Sequence, residues 1–450
     1  MKTPLVYLPR FRQAEAALET LRQRESWTRE RIESHQLDAI NRLWRHARAH
    51  CRHYERWADG DKLSPQFESL DHYVQTVPPT DKDAVRQNPM DFLSDQAEPG
   101  TWMRTGGSTG DPTRVYWGRS AHTDMQRAKY RGEQSFGLNV FDRKVFLWGH
   151  SGSFDPGVRG WMQRLRRPIE DRLRRRLRVS AYQLSPDRLE RCVRKSAAFG
   201  PASLYGYASA IDLFSRTAQE YGIEFPTLKL AVLTAEPADE AMLNRVRENL
   251  RCKATIEYGS VECGLIAYGM ADGRIRTRDD LLFVETVPAK DDRYEILVTV
   301  LNNPSFPLFR YRIGDMTMHP LRRDEAGFGY LSAVDGRAND FIVTATGRPI
   351  HSMAVKHVVE PWPQVRRFTA HQSGDGSMRV LLETPQPMES SLIGLLHRRL
   401  EALLEGYEVS LQTTPLMPGN RAGKHRWIIS ELAHGSNEVS SVAASKSPST

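Results

Sequence analysis

The chain has 450 residues and a net charge of +8, from 63 Lys and Arg against 55 Asp and Glu. With 40% hydrophobic and 26% charged residues, it reads as globular, which excludes a collagenous, disulfide-stapled or wholly disordered chain. No apolar run reaches about 18 residues, so no spanning helix is expected.

The opening MKTPLVYLPRFRQ lacks the apolar core of a signal peptide, so the expected location is the cytoplasm. Residues 1–95 read as a helical lead-in. Leu37, Ile40, Leu43 and Ala47 fall on one stripe of a helix. After the Pro78-Pro79 turn, Thr80 is the expected N-cap of DKDAVRQ. From 96 to 335 the text alternates between strand and helix. Apolar runs at 144–149, 228–235, 254–259, 281–287 and 294–300 read as buried strands, and 207–222 reads as a helix. The last two runs lie close enough to pair antiparallel. This pattern predicts an α/β layered domain over 1–335.

Between Arg159 and Arg178 nine arginines interleave with Trp161, Met162, Leu165, Ile169, Leu173 and Leu177. The spacing predicts an amphipathic helix pair broken near Pro168. Such a basic face suits solvent, or peripheral contact with a membrane or an acidic carrier protein. Near Gly336 the text changes to short strands (341–346, 377–384) around one helix (389–406), a small α+β domain over 336–433. The Ser-rich stretch 434–450 reads as a disordered tail. Four scattered cysteines (Cys51, Cys192, Cys252, Cys263) form no CxxC pair, which argues against disulfides and a four-cysteine zinc site.

Five segments carry chemistry. Thr105–Thr113, TGGSTGDPT, exposes backbone N–H groups and hydroxyls that can wrap phosphate oxygens, without the GK[ST] ending of a Walker loop. Tyr258-Gly259-Ser260-Val261-Glu262 follows the strand ATIE, where open α/β sheets bind ligands. A ring there can stack on a base, and a carboxylate there can hold Mg²⁺. Asp315, in RYRIGD, can accept from two ribose hydroxyls, and the arginines beside it also suit a surface ion-pair cluster. Gly336-Arg337-Ala338-Asn339-Asp340 marks the composition break, and Gly423-Lys424-His425-Arg426 precedes the strand WII.

In this order and spacing, TGGSTGDPT, YGSVE, YRIGD, GRANDFI and NRAGKHR resemble the motifs of the adenylate-forming ligase superfamily. LWRHARAHCRHYERW with VPPTDKDAVR, SLYGYASAI and LNNPSFPLFRYRIGDM are similar to the phenylacetate–coenzyme A ligase-like, CapK-type branch. The resemblance covers roughly residues 35–432. It implies an enzyme that activates a carboxylic acid with Mg-ATP to an acyl-adenylate and passes the acyl group to an acceptor. It also implies a large adenylation domain and a small mobile C-terminal lid with a hinge near Gly336.

By that resemblance Thr105, Gly106, Gly107, Ser108, Thr109 and Gly110 hold the β- and γ-phosphates. Ala235, Glu236 and Pro237 pack along adenine, Tyr258 stacks on it, and Gly259 and Ser260 belong to the same nucleotide motif. Glu262 binds Mg²⁺, Asp315 binds the ribose, and Arg337 sits near the ribose or phosphate. Lys424 stabilises charge at the α-phosphate, and His150 orients or gates the acyl group. Coenzyme A is the expected acceptor, with an amine or a carrier protein as alternatives. Gly106, Asp111, Val261 and Asn339 depart from the family pattern; Val261 removes a hydroxyl that usually precedes the Glu. The stretch AYGMADGRIRTRDD holds no Cys or His, so no zinc is expected. A non-catalytic nucleotide-binding relative is the competing class. No nucleic-acid-binding motif is present.

Overall fold

The computed structural model describes residues 19–61, 64–105, 113–148, 171–172, 174–180, 186–289, 292–323, 327–332, 336–337, 341–346, 349–351, 355, 358–359, 362, 364–417 and 428–432. The chain divides into two compact units, Met1–Val179 with Glu190–Asp335, and Gly336–Thr450 with Ser180–Leu189.

In the first unit, helix α1 (Arg29–His50) buries Ile32, Ala39, Ile40, Leu43, Trp44 and Ala47 along one stripe. The apolar period of the sequence thus becomes packing. Thr28 Oγ1 accepts from Arg31 N and starts the helix. Helices α2 (Arg52–Asp61), α3 (Leu70–Thr76) and α4 (Lys82–Gln87) follow. Thr80 is not the cap of α4; that position is Asp81. Thr80 instead bridges to Tyr311, and its hydroxyl donates to Phe309 O at 2.7 Å. Pairing with a distant strand outweighs the local cap here.

Strands β1 (Gly100–Arg104) and β2 (Arg114–Gly118) form an antiparallel hairpin. Beyond it come α5 (Arg119–Gln134), β3 (Lys144–Trp148), β4 (Arg176–Ser180), α6 (Pro186–Phe199), β5 (Ser203–Tyr207), α7 (Ala208–Glu220), β6 (Leu230–Thr234), α8 (Glu240–Leu250) and β7 (Lys253–Ser260). Then β8 (Gly264–Gly269), β9 (Ile275–Thr277), β10 (Leu282–Pro288), β11 (Tyr294–Val300), β12 (Tyr311–Thr317), β13 (Arg322–Arg323) and β14 (Gly329–Leu331) complete the unit. One nine-stranded sheet runs β13-β14-β9-β8-β7-β6-β5-β3-β4. Its strands β3, β5, β6 and β7 are parallel, and β8 and β9 continue it antiparallel. All five residues of β6 are buried, as a parallel strand covered on both faces requires. Helix α7 packs on β5 and β6, α8 on β7, and α5 on β8. Strands β10, β11 and β12 pair antiparallel in succession as part of a second sheet.

The expected basic helix pair is corrected at its C-terminal end. Arg176, Leu177 and Arg178 lie in β4, the edge strand beside β3. Arg175 takes a positive φ of 51° and its carbonyl accepts from Lys144 N, so the chain leaves helical geometry one residue earlier. Residues 159–170 lie outside the described residues.

In the second unit, β15 (Gly336–Arg337) precedes the β16 (Phe341–Val343) and β17 (Pro349–His351) hairpin. Strands β18 (Arg367–Gln372), β19 (Met378–Glu383), β20 (Val409–Thr414) and β21 (Ile428–Ser430) form a sheet in the order β20-β19-β18-β21. Helix α9 (Ser390–Leu404) buries Leu396, Leu400 and Leu404 in the core that holds Phe368, Val380 and Leu382. The tail 434–450 lies outside the described residues. No described helix is long and apolar enough to cross a membrane.

Candidate active site

The site lies where the two sheets of the first unit meet, and two hydrogen bonds join them. Tyr258 Oη, from β7, donates to Asp315 Oδ2 of β12 at 2.9 Å. Tyr311 Oη, at the start of β12, donates to Glu262 Oε1 at 3.3 Å. Burial, and then the Asp315 charge, push the Tyr258 phenol well above its ordinary range, so it stays a donor. Burial and Glu262 do the same for Tyr311.

Glu262 sits in the turn between β7 and β8 and is only 4% exposed. Lys82 Nζ, on the first turn of α4, lies 2.8 Å from its Oε1. Two backbone features shape this turn. A Cβ on Gly259 would stand 2.3 Å from Gly264 O, so only glycine allows the two strands to approach there. Ser260 Oγ accepts from Cys263 N at 3.0 Å. That turn bond occupies the hydroxyl nearest to the one Val261 lacks.

The β1–β2 hairpin presents the Thr105–Thr113 loop. Thr105 N donates to Thr113 O at 3.0 Å, and Thr105 Oγ1 accepts from Thr113 N at 2.9 Å, which closes the loop at its neck. Trp117 Nε1 donates to Val261 O at 2.9 Å, tying the hairpin to the Glu262 turn. Asn303 fixes its other side, with Nδ2 donating to Tyr116 O at 2.9 Å and Oδ1 accepting from Gly118 N at 3.3 Å. The loop neck and the Glu262 carboxylate are therefore parts of one packed assembly.

At the end of β6, Ala235 takes φ 66° and turns the chain sharply. Glu236 Oε2 then accepts from Ser209 N at 2.8 Å, in the first turn of α7. That helix has no side-chain cap of its own, so the carboxylate fills the role from another segment. Pro237 follows, half-buried. Arg337 lies in β15. Gly106, Gly107, Ser108, Thr109, Gly110, Asp111, His150, Asn339 and Lys424 lie outside the described residues.

Sequence reasoning assigned no role to Lys82, Tyr311 or Trp117. The first two stand in quoted motifs, but their partner Glu262 is distant in the chain. Arg310 belongs to a cluster that also suited the surface. It is instead buried against Glu285, with Nη2 to Oε1 at 2.9 Å. Beside Tyr258, Glu257 accepts at Oε1 from Lys129 Nζ and Tyr205 Oη, each at 2.7 Å.

Glu262 is a hard oxygen donor near the neck of the glycine-rich loop, the ligand chemistry Mg²⁺ prefers when most of its other ligands are phosphates and water. Lys82 Nζ and Tyr311 Oη already hold Oε1, so Glu262 could take such an ion only beside that ammonium, where it would neutralise phosphate charge when bound.

No family model matches the chain. Protein CapK of Staphylococcus aureus is 23% identical over 278 residues, which span 60% of this chain and 60% of that protein. The structure of 2-hydroxyisobutyryl-CoA ligase in the postadenylation state with R3-HIB-AMP superposes with a TM-score of 0.72 at 17% identity, covering 93% of this chain and 94% of that one. The same ligase in the thioesterification state with 2-HIB-AMP and CoA gives 0.60 at 18% identity, over 93% and 94% of the two chains. The chain shares the fold of 2-hydroxyisobutyryl-CoA ligase, with a large α/β unit followed by a small α+β unit. The similarity to CapK falls in the branch that the motifs resemble.

Proposed function

We propose that the chain is an ATP-dependent, AMP-forming carboxylate ligase. The observation that carries this is the joining of Tyr258 to Asp315 and of Tyr311 to Glu262 beside the neck of a glycine-rich loop. A base-stacking ring, a ribose acceptor and a metal-ligating carboxylate are thereby fixed together. The Thr105–Gly110 loop holds the β- and γ-phosphates with backbone N–H groups and hydroxyls. Tyr258 stacks on adenine while its hydroxyl holds Asp315 in place, and Asp315 takes the ribose hydroxyls. Glu262 holds Mg²⁺. The substrate carboxylate oxygen attacks the α-phosphorus; the new P–O bond forms as the bond to the β-phosphate oxygen breaks, and pyrophosphate leaves. Lys424 stabilises the charge that develops at the α-phosphate.

An acceptor nucleophile then attacks the acyl carbon, and AMP departs. We assign coenzyme A as acceptor, in keeping with the ligases that share the fold. The 336–433 unit acts as a lid that brings Lys424 in for the first step and withdraws it for the second.

The test is pyrophosphate release with Mg-ATP and a panel of aryl and aliphatic acids, hydroxylamine serving as acyl trap. Release that requires one acid and is lost in Lys424→Ala supports the reading. ATP binding with no release from any acid overturns it in favour of a nucleotide-binding relative. Stimulation by coenzyme A, rather than by amines, tests the acceptor.

A further inference from the structure

Glu257 lies in a buried polar cluster that the mechanism leaves unused. Glu257, 6% exposed, accepts from Lys129 and Tyr205 at the same oxygen, Oε1. Its other oxygen, Oε2, is buried and has no hydrogen-bond partner. Glu257 pairs across the strands with Tyr268, so both side chains point to the same face. The Tyr268 hydroxyl is also buried without a partner. Buried polar atoms are nearly always paired, and two orphans of complementary kind on one cross-strand pair call for a missing group. That group must donate to a carboxylate oxygen and accept from a phenol.

The position says which group. Glu257 directly precedes Tyr258 in β7, so its side chain leaves the opposite face of the sheet, toward Lys129 of α5. It stands level with Thr234 and Tyr207 at the carboxyl ends of the parallel strands, where α/β sheets take their ligands. On the same face Trp148 stacks on Tyr205 with centroids 5.9 Å apart and planes at 27°. Helix α5 supplies Lys129 to neutralise the Glu257 charge. Burial alone would lower that ammonium, but Glu257 outweighs it and holds Lys129 above its ordinary range. An already neutralised carboxylate favours a neutral donor over a cation.

We propose that Glu257 and Tyr268 are specificity-determining residues that receive a hydroxyl or uncharged amino substituent of the acyl substrate. The proposal rests on the adenylation reading above. A plain hydrocarbon acid leaves both buried atoms unpaired, and a site built to hydrogen-bond a substrate group rejects the analogue that lacks it far more strongly than an apolar pocket rejects a methylene.

The experiment is acid-dependent ATP–pyrophosphate exchange with matched pairs: benzoate against 3- and 4-hydroxybenzoate and 3- and 4-aminobenzoate, and straight-chain acids against their hydroxy analogues. The expected result is a preference of roughly 100-fold or more in kcat/KM for at least one substituted acid over its parent. Tyr268→Phe, which deletes only the orphan hydroxyl, should cut that ratio at least several-fold without lowering the melting temperature. The paired change Lys129→Met with Glu257→Leu removes both charges together and should reverse the preference while ATP affinity stays unchanged. Exchange with no preference for substituted acids, or a ratio unmoved in both variants, overturns the proposal alone and fits a buried water at this spot. No exchange with any acid, despite ATP binding, overturns the adenylation reading and this proposal with it.

Discussion

Removing the Arg310 guanidinium tests how the helical lead-in is locked to the strand that carries Tyr311 and Asp315. Arg310 faces Glu285 at 2.9–3.2 Å through Nε and Nη2. It also donates from Nη1 to Val74 O at 2.5 Å and Val77 O at 2.6 Å, at the end of α3. Both side chains of the ion pair are under 10% exposed. Arg310→Met strands a buried carboxylate, which typically costs about 3–5 kcal/mol, and two carbonyls lose their donors at about 1 kcal/mol each. Burial already raises the Glu285 carboxyl above its ordinary range even with Arg310 opposing it, so without Arg310 it rises further. The destabilisation should therefore be largest near pH 7 and shrink as the solution is acidified and Glu285 takes a proton. Urea unfolding followed by tryptophan fluorescence reads the loss. Adding Glu285→Met should recover at least half of it, because the stranded charge is then gone. An Arg310→Met midpoint equal to that of the unaltered chain, or a double variant no better than the single, would refute the reasoning.

Three further outcomes follow from named contacts. Tyr258→Phe keeps the ring but removes the donor to Asp315; a hydrogen bond to a charged group contributes about 1.5–3 kcal/mol, so ATP affinity should fall roughly 10- to 100-fold by calorimetry, and an unchanged Kd would show that Asp315 needs no such support. Gly259→Ala drives a Cβ against Gly264 O and should depress both the melting temperature and nucleotide binding, whereas Gly137→Ala, where nothing lies within 4 Å but φ is +76°, should cost only about 1 kcal/mol of backbone strain. His53 stacks on Phe92 with centroids 4.0 Å apart, and burial followed by the Arg56 charge lowers its pKa from 6.5 to about 4. The folded ring stays neutral while the unfolded chain binds a proton, so its contribution is full above pH 6.5 and declines as pH falls toward 4. A His53→Phe variant should show a shallower fall of melting temperature across that window, and an equal slope would count against the assignment.

What the sequence made legible was what depends on neighbours in the chain. The apolar runs at 144–149, 228–235 and 254–259 are parallel strands, where burial on both faces leaves little polar alternation to confuse them, as in Leu230–Thr234. The stripe on α1 is likewise a local period. The β1–β2 hairpin was illegible as strands, since its exposed arginines and half-buried rings give the pattern eeiie in β1 instead of a clean alternation. Thr80 and Arg176 went astray for a related reason: each has an acceptable local geometry that a distant strand overrides.

The site divides along the same line. Tyr258, Glu262 and Asp315 stand in short motifs with recognisable chemistry, so they could be named without knowing how they meet. The geometry shows that none of them is held by its own segment. Glu262 is gripped by a lysine 180 positions earlier and a tyrosine 49 positions later, and Asp315 by the Tyr258 hydroxyl from the other sheet. A motif supplies the candidate groups, but their placement is a long-range property, set by pairs such as Trp117–Val261 and Arg310–Glu285. Those supporting residues are therefore where a variant chain is expected to lose the site without altering any motif. On the proposed adenylation reading, the unpaired atoms of Glu257 and Tyr268 extend the argument to specificity, because the motifs say nothing about what the rest of the acid must carry.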